Sequence, residues 1–292
     1  TDYNTTNMGP KRDIVGELTK SVRNEGLKMG LYYSGIIDWK FAHDPIFHEE
    51  ENFTKACPTF EYADYAYKQA CELIDNYKPS VFWNDIGWPK QGEFALAHLF
   101  QHYYNTVDDG LVNDRWNGIW KDFSTKEYQS GKAYRDEKWE MTRGLGLSFG
   151  YNQNEDSSEL ISIQDLISML VETVSNNGNL LLNIGPKADG SIPKEQEERL
   201  LGIGDWLSTN GDAIYGTRCW DRDSMTLDGI NVHFTKKEKD LYIILDKLPL
   251  GNSQITIPNL SGIATPLDKE INASSRSEGN NLLIDVNIEE EM

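Results

Sequence analysis

The chain has 292 residues, is 38% hydrophobic and 26% charged, and carries a formal net charge of −19 at pH 7. This composition suits a soluble globular protein long enough for one large core or two domains, and it does not suggest disorder. The negative field argues against nucleic acid and anionic membrane as partners and makes a neutral substrate the easier fit. Eight Trp and fourteen Tyr point weakly toward carbohydrate, since large cores use the same residues. Cys57, Cys71 and Cys219 exclude a disulfide-rich scaffold, although one Cys57–Cys71 bridge stays open. His98 and His102 share a helix face but lack a third ligand or an HExxH context, so no metal is predicted. There is no apolar run of about 20 residues to span a membrane. The first residue is Thr1, so any targeting segment would lie outside the chain.

In chain order, Pro10 precedes a helical spacing over 12–24, with Ile14, Val15, Leu18 and Val22 on one face and Gly26 as its stop. A strand follows over 28–34. A helix over 60–77 ends at Lys78-Pro79, and the apolar run Val81-Phe82-Trp83 then reads as a buried strand. A helix over 93–106 leads to a short strand over 111–115, and the next strand candidate is 138–142. The last units are a helix over 163–176, a strand over 179–185 and a helix over 194–210 capped by Gly211. Beyond Tyr215 the pattern changes to short β segments at 229–234, 240–245, 254–257 and 281–286, separated by turn residues.

Alternating helices and continuous apolar strands imply a parallel sheet with helices outside it. Neither GxGxxG nor GxxxxGK[ST] is present, so nucleotide-binding versions lack their signature. Polar residues instead gather at the C-terminal ends of successive strands: Tyr32-Tyr33-Ser34, Asn84-Asp85, Asn113-Asp114-Arg115, Glu140 and Asn183. Five loaded strand ends favour a (β/α)8 TIM-like barrel, whose active site lies on that face, over a doubly wound sheet with one switch point. The expected fold is therefore α/β: a (β/α)8 barrel over 1–216, incomplete with about five strands, then a C-terminal antiparallel β-sandwich over 217–292. The count of five strands against eight leads to the expectation that upstream barrel strands are missing.

The most informative stretch is Trp83-Asn84-Asp85-Ile86-Gly87-Trp88-Pro89. A carboxylate at the exit of a buried strand is unfavourable unless a cation, a hydrogen-bond network or a reaction gives it a role. Flanking indoles would also suit a sugar face; the plain alternative is an Asp that caps the next helix. Together with Gly30–Ser34, Asp38-Trp39, Val112–Trp116, Lys138-Trp139-Glu140, Gly146–Tyr151, Asn177–Pro186 and Asn210–Thr217, this stretch resembles glycoside hydrolase family 29, the retaining α-L-fucosidases. The series occurs in the family's order along nearly the whole chain, weakening after Trp220.

The resemblance implies that Asp85 is the nucleophile and Glu127 the acid/base, with Glu140 as the alternative. On its own Glu127 reads as an exposed loop residue. Retaining chemistry needs one ionised carboxylate to attack the anomeric carbon and one protonated carboxyl to release the leaving oxygen, about 5–5.5 Å apart. Arg115 would keep Asp85 anionic, and Glu127 would need a drier or more anionic setting. Tyr32, Trp83, Arg115 and Phe149 are implied substrate contacts, with Trp83 and Phe149 offering an apolar wall to the C6 methyl face of fucose. For Tyr32 and Phe149, core packing is the rival reading. Asn113 and Asp114 are expected to orient Arg115.

The family's histidines after its first and third strands have no counterpart here, and His43 and His48 do not replace them. No cofactor and no metal are implied. The expected partner is a fucosylated oligosaccharide or glycoconjugate, with no nucleic acid and no membrane, and oligomerisation is left open. The alternatives are a non-catalytic fucose-binding barrel fragment and a structural fragment needing further strands. Sequons at Asn4, Asn52, Asn259 and Asn272 do not decide the compartment.

Overall fold

The computed structural model describes residues 2–42, 57, 59–118, 120–129 and 136–289. It divides into two compact units, Thr1–Thr125 and Lys126–Met292. Among the described residues no helix is long and apolar enough to cross a membrane.

In the first unit, α1 (Ile14–Asn24) starts where the Asp13 carboxylate accepts from Gly16 N, and it ends at Glu25 with Gly26 in the left-handed region. It leads into β1 (Gly30–Ser34). The Thr59 hydroxyl caps α2 (Phe60–Tyr77), and Lys78 closes it in the left-handed conformation before Pro79. Next come β2 (Val81–Asp85), a 3-10 turn over Lys90–Ala95, α3 (Leu96–Thr106) and β3 (Leu111–Val112). The sheet order is β1-β2-β3, all parallel, with Gly30 opposite Val81, Ser34 opposite Asp85, and Phe82 opposite Val112. Helices between parallel strands cover the sheet, which is why Phe82 and Val112 are fully buried.

The core of this unit is aromatic. Phe82 packs 5.3 Å from the Trp116 ring, which lies 5.4 Å from Trp88 and 5.4 Å from Phe100. Trp88 is therefore a core residue, 1% exposed, and not a sugar platform flanking Asp85 as the sequence pattern implied.

The strand β4 (Ser124–Glu127) carries the chain into the second unit. There, β5 (Trp139–Gly144), α4 (Ile163–Ser175), β6 (Gly178–Asn183) and α5 (Lys194–Asn210) continue the strand–helix pattern. Strands β5 and β6 are parallel, with Trp139 opposite Gly178. A Cβ on Gly178 would sit 2.5 Å from Trp139 Cε2, so this position must be glycine. Gly211 ends α5 in the right-handed region and opens a 3-10 turn, so it is not a left-handed stop.

Antiparallel strands complete the unit: β7 (Arg218–Cys219), β8 (Met225–Leu227), β9 (Ile230–Lys237), β10 (Asp240–Asp246), β11 (Gly251–Ile257), β12 (Asn272–Glu278) and β13 (Asn281–Ile288). They form one sheet ordered β10-β9-β7, with β8 also on β9, and a second ordered β11-β13-β12. Ile230, Val232 and Phe234 of β9 join Ile255, Ile257, Leu282, Ile284, Val286 and Ile288 in one apolar layer. The period of two sends His233 and Thr235 to the opposite face, where the Thr235 hydroxyl donates to Ala213 O and His233 meets Ser175 of α4. Strand β9 is buried on both faces as a result.

The architecture is parallel β–α units followed by C-terminal antiparallel sheets. Six strands precede the antiparallel region among the described residues, one more than the sequence pattern implied, because β4 is short and polar. Strand β12 escaped for the same reason: Asn272–Glu278 has no apolar alternation and lies at a sheet edge. Cys57, Cys71 and Cys219 are free thiols, so the bridge left open between Cys57 and Cys71 is not formed. His102 pairs with Asp75 at 2.7 Å.

Candidate active site

Asp85 is presented by an unusually well-tied strand end. Strand β3 stops at Val112 because Asn113 takes over its pairing with β2 through a side chain. Asn113 Oδ1 accepts from Asn84 N at 3.0 Å, and Asn113 Nδ2 donates to Asn84 O at 2.8 Å. Both asparagines are fully buried, so these amide groups complete a ladder that no solvent could complete. The Asn84 side chain in turn donates to Gly87 O at 2.9 Å and to Arg115 O at 2.7 Å. One buried amide thus ties the strand end to the following turn and to the backbone of Arg115. Gly35 N reaches Asp85 O at 3.1 Å, and a Cβ at Gly35 would collide with Gly87 O and Asn84 Oδ1.

Beyond Asp85 the chain reverses through Ile86 and Gly87, with φ of 54° and 88°. Glycine adopts this region freely, whereas a β-branched residue is strained there by about 1–3 kcal/mol. The conformation turns Ile86 N back onto Asp85 Oδ1 at 2.8 Å. Sequence reading gave no signal for Ile86.

Three donors converge on the Asp85 carboxylate. Tyr32 OH donates to Oδ2 at 2.6 Å, and Arg115 Nη1 and Ile86 N both donate to Oδ1, Arg115 at 2.7 Å. The Asp85 and Arg115 side chains are 21% and 24% exposed, so the pair is partly shielded yet reachable. Burial pushes the Asp85 carboxyl up, but the hydrogen bonds from Tyr32, Arg115 and Ile86 N and the Arg115 charge outweigh it. The net direction is below the ordinary carboxylate range. Burial, with the adjacent Asp85 carboxylate, pushes the Tyr32 phenol well above its usual range and keeps it a donor.

Trp83 forms the floor. Its ring stacks on Tyr32 at 5.6 Å and 19°, and the Arg115 guanidinium lies over it at 4.7 Å. At 7% exposure Trp83 offers little surface of its own, whereas Tyr32 is 60% exposed. Arg115 Nε donates to Thr125 Oγ1 at 2.9 Å, and Thr125 Oγ1 donates to Asp114 Oδ1 at 2.8 Å. Asp114 therefore bears on Arg115 through Thr125, a residue the sequence pattern did not single out.

The structure gathers Tyr32, Trp83, Asp85 and Arg115 in the first unit. Glu127, Glu140 and Phe149 belong to the second. Glu127 is an exposed residue at the end of β4, not in a loop, and Glu140 is half-buried on β5. Phe149 is 40% exposed and meets the Tyr128 ring at 5.4 Å and 60°, and Arg143 lies 5.3 Å from that same ring. His43, His48 and Asn52 lie outside the described residues.

A strand-end carboxylate held ionised by a phenol, a guanidinium and a backbone amide above an indole floor suits nucleophilic attack on a neutral sugar. The α-L-fucosidase family model matches residues 1–212. The chain belongs to the α-L-fucosidase family. It is 37% identical over 263 residues to human plasma α-L-fucosidase and 34% identical over 260 residues to an α-L-fucosidase of Dictyostelium discoideum. Each match covers 85% of this chain and 55% of the relative, so the chain spans about half the length of the curated relatives it matches. Among solved structures, the Thermotoga maritima α-fucosidase in complex with a mechanism-based inhibitor is 46% identical, with a TM-score of 0.87. That match covers 99% of this chain and 67% of the other, and the parallel β–α units correspond to the fucosidase barrel region. The same T. maritima enzyme is also known in complex with fucose, at 44% identity and a TM-score of 0.86.

Proposed function

We propose that this fucosidase-family protein hydrolyses terminal α-L-fucosyl residues of oligosaccharides or glycoconjugates with retention of configuration. The observation that carries the reading is the Asp85 carboxylate held by Tyr32, Arg115 and Ile86 N at the end of β2. Those donors keep it anionic at neutral pH, the state a nucleophile needs.

In the first step an Asp85 oxygen attacks the anomeric carbon, the glycosidic bond breaks, and the leaving oxygen takes the proton of the acid/base. In the second, the acid/base removes a proton from water, whose oxygen attacks the glycosyl ester and frees Asp85. Two inversions give net retention. Glu127 takes the acid/base role on sequence resemblance alone, with Glu140 the alternative. Tyr32, Arg115 and Phe149 are the proposed sugar contacts, with Trp83 acting mainly as the floor under the first two. The reading keeps the division into a barrel part over 1–216 and a β-sandwich over 217–292.

The test is hydrolysis of 4-nitrophenyl α-L-fucoside by the full-length protein and its Asp85→Gly variant. The variant should lose activity by a factor of 10³ or more and regain turnover with azide, giving a fucosyl azide of inverted configuration. Undiminished hydrolysis by Asp85→Gly would remove Asp85 from the mechanism. Fucose binding without turnover by the wild type would replace the enzyme with a sugar-binding protein.

A further inference from the structure

We propose that Thr125 is a positioning residue that sets the rotation of the Arg115 guanidinium and so aims it at the nucleophile. The inference rests on Asp85 being that nucleophile. A guanidinium is planar with a fixed fork of donors, so two constraints orient it: one on its plane and one on its rotation within that plane. The Trp83 face, 4.7 Å away, supplies the first. The second is a pair of hydrogen bonds, Nη1 to Asp85 Oδ1 at 2.7 Å and Nε to Thr125 Oγ1 at 2.9 Å.

The Thr125 hydroxyl is itself held. It has one proton, and that proton goes to Asp114 Oδ1 at 2.8 Å, leaving its lone pairs for Arg115 Nε. The same Asp114 oxygen accepts from Thr125 N at 3.1 Å, so carboxylate and residue are joined at two points. Thr125 is 8% exposed, which keeps water from substituting for its hydroxyl. The chain Asp114–Thr125–Arg115–Asp85 runs from anion through hydroxyl to cation to anion, and each hydrogen bond fixes the direction of the next.

Thr125→Val separates this role from simple packing. It preserves shape and the backbone bond to Asp114 and removes only the hydroxyl. In the full-length protein kcat/KM for 4-nitrophenyl α-L-fucoside should fall by up to about 100-fold, the scale on which a small misplacement of a positioned group costs rate. The acidic limb of the kcat/KM profile should also move to higher pH, because a swivelling Arg115 holds the Asp85 carboxylate less firmly. Thr125→Ser, which keeps the hydroxyl, should restore both limb and rate to within a few-fold. Thr125→Ala should reproduce the limb shift and stands in for Val if that variant does not fold.

An unmoved acidic limb in both Val and Ala variants overturns the proposal, as does equal impairment of Ser and Val. Asp85→Gly, measured alongside, separates the two claims. If it is inactive and azide-rescued while Thr125→Val behaves as wild type, only the positioning role falls. If it is fully active, both fall.

Discussion

Tyr32→Phe removes one oxygen and leaves everything around it in place. The ring keeps its stack on Trp83, so no cavity opens and no packing is lost. What disappears is the 2.6 Å bond to Asp85 Oδ2, the one donor on that oxygen among the described residues, because Arg115 Nη1 and Ile86 N both serve Oδ1. A hydrogen bond to a charged acceptor contributes about 1.5–3 kcal/mol. Tyr32 is 60% exposed and water can reach the vacated oxygen, which places the loss near the lower end. About 1.4 kcal/mol corresponds to a factor of ten.

The loss bears on the ionised carboxylate and not on its protonated form, so the proton affinity of Asp85 rises. For kcat/KM of the full-length protein on 4-nitrophenyl α-L-fucoside, this means about a tenfold deficit on the acidic limb. The deficit should narrow toward wild type as pH rises past the limb. A stopped assay with product read after alkaline quench gives the whole profile. A deficit equal at every pH would refute the reasoning, since it would mean that Tyr32 serves the substrate alone. So would an acidic limb that moves downward.

Asn113→Ala strands Asn84 N and O in a fully buried place, each at about 1–3 kcal/mol. The melting temperature should drop by roughly 5–10 °C, with lower kcat/KM, and an unchanged melt would show that the strand end needs no such ladder. His233 is buried beside Ser224, 3.0 Å away, and burial pushes its imidazole below the usual 6.5 despite the Asp246 charge. Its neutral form is the folded one, so stability present above pH 6.5 is lost as pH falls from there through the folded value. His233→Asn should therefore narrow the difference in melting temperature between pH 7.5 and pH 5.5, and an equal difference in both proteins counts against the linkage. Gly178→Ala forces a methyl against Trp139 and should destabilise by about 1–3 kcal/mol, read as an earlier urea midpoint of the second unit.

Legibility followed the physical strength of each signal. Helices α2 and α5 match the sequence reading residue for residue: in α2 the apolar period and the Lys78-Pro79 stop agree, whereas α5 ends where expected although Gly211 stays right-handed. The sequence pattern predicts β3 over 111–115, whereas the strand ends at Val112. In fact the Asn113 side chain, not its backbone, pairs with Asn84. Strands β4 and β12 are polar and carry no period-two apolar pattern that a sequence could show.

The sequence by itself determined the parallel β–α order, the antiparallel C-terminal sheets, and Asp85 with Arg115 as partners. Each of these rests on local patterning or on motifs in a recognisable series. Only the tertiary structure decided what each aromatic does, because burial depends on what packs against a ring and not on its neighbours in the chain. Trp83 became a floor under Tyr32 and Arg115, while Trp88, two residues past the strained Ile86, went into the core. Thr125 is the sharpest case. Ten residues beyond Arg115 it carries no motif, and its hydroxyl acquires a role only because folding brings it within 2.9 Å of a guanidinium.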